Sequence, residues 1–104
     1  TVAADVDIQG CTILGADTTG IQISGARARV IGNHIANTGG DGINGSAASD
    51  DSVIANNRIQ DQTGDSIELT AAGDDVVVSG NRCDGAINDG STGSTLTGND
   101  TSAF

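Results

Sequence analysis

Val30 to Ile35 reads VIGNHI, Ile54 to Ile59 reads IANNRI and Val78 to Cys83 reads VSGNRC, so Asn33, Asn57 and Asn81 stand 24 residues apart in one frame. Each asparagine has an apolar residue three positions before it and another two after it. Self-similarity at a period of about 20 to 50 residues is the signature of stacked repeats. IQGCTI (Ile8 to Ile13) enters the same frame with Cys11 in the asparagine slot, 22 residues before Asn33, and LTGNDT (Leu96 to Thr101) puts Asn99 there, 18 residues after Asn81. The copies start near residues 6, 30, 54, 78 and 96 of a single domain spanning 1–104, the outer two being degenerate.

A second apolar position recurs eight residues further on, from Ile13 to Ile21, Ile35 to Ile43 and Ile59 to Ile67, and SAASDDSVI (Ser46 to Ile54) matches TAAGDDVVV (Thr70 to Val78) almost position for position. Short β-branched stretches punctuated by Gly, Asn, Asp and Thr read as strands between turns. Helical repeats need a 3.6-residue apolar period, which is missing, and leucine-rich repeats need a recurrent leucine, whereas only Leu14, Leu69 and Leu96 occur. What remains is an all-β parallel solenoid in which each copy is one coil. Coils rise by about 4.8 Å, so equal positions stack in columns. Asn33, Asn57, Asn81 and Asn99 are then expected to form a ladder of side-chain amides bonded from coil to coil.

These motifs resemble the right-handed parallel β-helix of the pectate-lyase-like superfamily, and the resemblance runs from Val6 to Asn99. It implies coils of about 22 to 24 residues with three strands each and an asparagine ladder. Members of that superfamily include polysaccharide lyases, glycoside hydrolases, uronan epimerases, viral tailspikes and passive surface adhesins, so the resemblance specifies architecture and leaves function to the site.

Composition narrows the setting. One Glu and thirteen Asp face four Arg and no Lys, a net charge of −10, and the only aromatic residue is Phe104. The core must be Ile, Val, Leu and Ala. Such self-repulsion keeps a chain soluble and strains the compact state at low salt. Asp-rich, Lys-free chains resemble proteins of salt-loving archaea, which implies a halophilic setting; an ordinary acidic extracellular domain is the plainer alternative. Clustered Lys and Arg for phosphate contacts are missing, which argues against nucleic acid as a partner. No apolar run is long enough to span a membrane. The opening TVAADVDIQG carries neither Met nor a leader pattern, which reads as the interior of a longer protein or a processed product.

Four sets of residues are candidates for chemistry. Asp41 stacks over Asp65 with Thr19 below, and Asp50 and Asp51 stack over Asp74 and Asp75; these carboxylates are candidate ligands for weakly bound Ca2+ or monovalent cations, although calcium wants six to eight oxygens and turn-forming Asp is the simpler account. No other cofactor is expected. Arg27 takes the slot of Asp51, so an Arg27 to Asp51 bridge between coils is expected. His34, Arg58 and Arg82 follow successive asparagine slots, a basic column suited to a carboxylate or sulfate of an acidic glycan; a lone His is no metal site. Gln22, Asn44, Glu68 and Asn88 form an outward column where the resemblance places clefts. Its one carboxylate, Glu68, has Asp65 as its partner, the catalytic pair if there is one. Aromatic platforms and a Lys or Tyr base are missing, so catalysis within the chain is not expected.

Cys11 and Cys83 lie three coil rises apart, about 14 Å, beyond the roughly 7 Å that a disulfide spans. Phe104 is expected to fold over the last coil as a cap, and the open first coil implies further domains or subunits of the same assembly, a homo-oligomer among the options. The reading that follows is a non-catalytic display module of an extracellular, cell-surface or virion protein, a tail or turret component for example, engaging host or glycan. The alternative is a fragment of a carbohydrate-active enzyme centred on Glu68 and Asp65.

Overall fold

A computed structural model of the chain describes residues 1–46, 49–69, 75–90 and 93–102. Its strands are two or three residues long and pair only in parallel, in three sheets. The first sheet orders β1 (Asp7–Gln9), β4 (Arg29–Ile31), β7 (Val53–Ala55), β10 (Val77–Ser79) and β13 (Thr95–Thr97). The second holds β2 (Thr12–Leu14), β5 (His34–Ala36), β8 (Arg58–Gln60) and β11 (Arg82–Cys83). The third holds β3 (Ile21–Ile23), β6 (Ile43–Gly45), β9 (Ile67–Glu68) and β12 (Ile87–Asn88). Every third strand joins the same sheet, which is a solenoid of about four turns. Among the described residues there is no helix, and none therefore that could cross a membrane.

The register stacks like on like. Ile8, Val30, Ile54, Val78 and Leu96 form one column, Ile13, Ile35, Ile59 and Cys83 a second, and Ile21, Ile43, Ile67 and Ile87 a third. Their central members, Val30, Ile54, Val78, Ile35, Ile59, Ile43 and Ile67, are wholly buried, each contributing about 1.5 to 3 kcal/mol of apolar burial. Branched side chains suit this work because each coil supplies only one narrow layer of core.

The asparagine ladder is built. Asn57 Oδ1 accepts from the backbone N–H of Asn33 (2.9 Å) and from its Nδ2 (3.0 Å), while Asn57 Nδ2 donates to the Val30 carbonyl (2.9 Å) and to Asn81 Oδ1 (3.0 Å). Asn81 and Asn99 repeat the pattern, and at the other end the Cys11 N–H donates to Asn33 Oδ1 at 2.9 Å. Asn33, Asn57 and Asn81 are at most 2% exposed, so the amides satisfy backbone groups that water cannot reach.

Columns of left-handed backbone make the corners. The residue before each ladder position, Gly10, Gly32, Asn56, Gly80 and Gly98, has φ between 56° and 70°. Asp5, Arg27, Asp51, Asp75 and Gly93 form a second such column, two residues ahead of the first-sheet strands, and Gly15, Asn37 and Asp61 a third. Gly, Asn and Asp carry the smallest penalty for this conformation; Arg27 is the exception. The fourth coil is the shortened one: Ile59 to Ile67 spans eight residues, but Cys83 to Ile87, in register with them, spans four.

Candidate functional site

The outward column of the third sheet is as expected: Gln22 pairs with Asn44, Asn44 with Glu68 and Glu68 with Asn88. Strand alternation points the middle residue of each strand outward while its flanking Ile residues enter the core. Hydrogen bonds join members of the column in pairs. Gln22 Nε2 donates to Asn44 Oδ1 (3.1 Å), Asn44 Nδ2 to Asp41 Oδ2 (3.1 Å) and Asn88 Nδ2 to Glu68 Oε2 (3.2 Å). Asp41 lies one coil from Asp65, as the repeat frame predicts, with its Oδ1 accepting the Asp65 N–H at 2.9 Å.

Asp65 and Glu68 come together at the base of β9. The Glu68 carboxyl, within hydrogen-bonding reach, holds Asp65 above the usual carboxylate range; partial burial and the charges of Glu68 and Asp41 act in the same sense, and Asn88 opposes them. A raised carboxyl beside a second carboxyl is what an acid catalyst requires. Glycoside hydrolysis, however, separates its two carboxyls by about 5 to 9.5 Å so that a sugar or water fits between them.

The basic column is also in register, with Thr12, His34, Arg58, Arg82 and Asp100 opposite one another in turn. Arg58 Nε donates along its own strand to Gln60 Oε1 at 3.0 Å. Asp100, held below the ordinary carboxylate range chiefly by the Ser102 hydroxyl and N–H, stands opposite Arg82, which adds to that effect. His34 Nε2 is enclosed without a hydrogen-bond partner.

The Arg27 to Asp51 bridge is corrected. Arg27 reaches back to Asp5, with Nε to Oδ1 at 2.6 Å and Nη2 to Oδ2 at 2.9 Å. The fork meets both carboxylate oxygens, a geometry that a single oxygen contact does not match, and each partner moves the other's titration, Asp5 downward and Arg27 upward. Asp51 is one coil the other way, in the same left-handed column, and adds only its charge. Arg29 approaches Asp7 in the same backward sense at 3.5 Å.

Of the metal candidates, Asp41 and Asp65 are half-buried, Asp50, Asp51 and Asp75 are exposed, and Asp74 lies outside the described residues, as does Phe104. Asp51 and Asp75 have φ of 57° and 59°, which gives both a backbone role. Among the described residues no three His, Cys, Asp or Glu side chains are grouped to hold a metal ion. Both cysteines are free, Cys11 exposed and Cys83 buried, and burial pushes the Cys83 thiol up to about 11. A shallow hollow of about 450 Å³ beside Ile87 and Leu96 is walled by residues that do not titrate.

Two features escaped the sequence reading. The left-handed columns were signalled by the Gly or Asn before every ladder position. Asp84 had no such signal: its Oδ2 accepts the Asp61 N–H at 2.8 Å, in place of a backbone carbonyl.

A family model described as a right-handed beta helix region matches residues 2–103. No curated protein and no solved structure matches the chain.

Proposed function

This chain belongs to the right-handed β-helix family, and on that premise we propose that it is a rigid, non-catalytic module that displays polar columns from an extracellular, cell-surface or virion assembly. The observation that carries this reading is that the outward columns bond to themselves. Gln22 bonds Asn44, Asn44 bonds Asp41 and Asn88 bonds Glu68 on the third sheet, and Arg27 and Arg29 are turned onto Asp5 and Asp7. Side chains so engaged stiffen the solenoid and offer a repetitive surface. The partners that suit it are further domains or subunits of the same assembly, with an acidic glycan at His34, Arg58 and Arg82 as a ligand. Lys-free acidity supports a high-salt environment.

The second reading, a carbohydrate-active enzyme or part of one, is favoured by the raised Asp65 beside Glu68. Incubation with polygalacturonate and alginate, followed by reducing ends and the ultraviolet absorbance of unsaturated uronides, separates the two. The module reading expects no turnover. Turnover that disappears in Glu68→Gln and Asp65→Asn sinks it. Attachment to an acidic glycan that survives Arg58→Ala with Arg82→Ala removes the basic column from the account.

A further inference from the structure

Two asparagines stand in the acceptor pattern for N-linked glycans, Asn-x-Ser/Thr with x other than Pro: Asn44 in Asn44-Gly45-Ser46 and Asn99 in Asn99-Asp100-Thr101. The fold treats them differently. Asn99 is the fourth asparagine of the ladder, its Nδ2 donating to the Val78 carbonyl at 2.9 Å while its Oδ1 accepts from the Asn81 N–H at 3.0 Å and from Asn81 Nδ2 at 2.9 Å. Asn57, inside the ladder, spends both amide hydrogens, on the Val30 carbonyl and on Asn81 Oδ1. By the same repeat the second hydrogen of Asn99 faces along the ladder, and a sugar there would stand in the ladder's path. Asn44 has no part in the ladder. It is the middle residue of β6, half-buried, on the outward column of the third sheet with Gln22 to one side and Glu68 to the other.

The hydrogen bonds of Asn44 leave room for a substituent. Its Nδ2 donates to Asp41 Oδ2 at 3.1 Å, and because an ionised carboxylate only accepts, this contact fixes which end of the amide is nitrogen. Its Oδ1 accepts from Gln22 Nε2 at 3.1 Å. The second hydrogen on Nδ2 has no acceptor among the described residues. A sugar in place of that hydrogen keeps one N–H for Asp41 and the oxygen for Gln22, so both bonds persist. We propose that Asn44 carries an N-linked oligosaccharide, an inference that rests on the module being exported. In the transfer, the bond from the sugar's anomeric carbon to the phosphate of a lipid-linked oligosaccharide breaks and the bond from that carbon to Nδ2 forms. Nδ2 gives up one proton to the transferase's base, and the lipid phosphate leaves. The glycan then stands next to Glu68, which is opposite Asn44 in the register, and obstructs the approach of a polysaccharide to the Asp65 and Glu68 carboxyls.

Mass spectrometry of tryptic peptides tests this on the native protein, collected separately from the exterior and the interior of the cells that make it. Cleavage after arginine puts Asn44 on Val30–Arg58 and Asn99 on Cys83–Phe104, so the two acceptors are read apart. The expected result is a sugar mass on Val30–Arg58 of the exterior protein and none on Cys83–Phe104. That mass should vanish in Asn44→Gln and in Ser46→Ala, which keeps the asparagine but removes the hydroxyl of the pattern, and should return in Ser46→Thr. An unmodified Val30–Arg58 overturns the site wherever the protein is found. Recovery from the exterior then leaves the module reading standing, and recovery only from the interior takes that reading down as well. Sugar that survives Asn44→Gln is attached to a hydroxyl of the same peptide and overturns the site too. If the variants are degraded before they can be collected, fragmentation of the unaltered peptide decides, because it locates the sugar on Asn44 or elsewhere.

Discussion

A single ladder asparagine does more than a surface polar residue because it replaces backbone partners. Removing the Asn57 side chain strips the Asn33 N–H and the Val30 carbonyl of their bonds and opens a void beside a fully buried column. Two orphaned groups at about 1 to 3 kcal/mol each predict that Asn57→Ala costs about 3 to 4 kcal/mol. That is a large part of the roughly 5 to 15 kcal/mol available to a domain. The midpoint should fall by over 10 °C, at about 4 °C or more per kcal/mol for a chain of this size. Asn57→Asp keeps the acceptor and loses the donors, so it should fall between. Asn99, at the end of the ladder and only part-buried, should cost about 1 kcal/mol on truncation to Ala. Equal losses at Asn57 and Asn99, measured by urea unfolding, would show that the amides fill space and little else.

At the scale of strands and turns, legibility followed the period. Ile, Val and Asn columns came out in register because each side chain's place depends only on counting from the nearest asparagine. Arg27 was given the wrong partner because Asp5 precedes the degenerate first copy, where counting has nothing to hold. The 18-residue interval from Asn81 to Asn99 was plain, but four of the missing residues fall between β11 and β12, and only the folded chain reveals Asp84 filling in there. The outward column adds a pH effect. Asp65 is raised in the folded state, so its contribution to stability is fully present below the unfolded-state value and is lost as pH rises through the folded one. Neutral pH therefore carries a penalty from two carboxylates sharing one place. Asp65→Asn should raise the midpoint at neutral pH and gain less, or nothing, under acid conditions where Asp65 is already protonated. A gain that is constant across pH would assign the effect to amide packing instead of charge.

For the molecule as a whole, the question is how a short solenoid with a net charge of −10 stays folded when its coils stack acid over acid. Equal positions lie about 4.8 Å apart, and among the described residues the pairs Arg27–Asp5 and Arg29–Asp7 lie in the first two coils. These pairs are exposed and screened by solvent, so they do not offset the remainder. Mobile cations must do it. The screening length is about 10 Å at 0.1 M salt and about 3 Å at 1 M, so repulsion between neighbouring coils is felt at the first and is largely gone at the second. The midpoint should rise steeply with sodium or potassium chloride up to about 1 M and then level off, alike for both cations, since screening depends on ionic strength and not on ion identity. Apolar burial predicts a second pattern, a rise with sulfate that continues without a plateau, through exclusion of that anion from the surface. Thermal unfolding in chloride and sulfate series distinguishes the two. A midpoint indifferent to chloride would mean that the acidic columns are not strained, and the case for a high-salt setting would lose its physical basis.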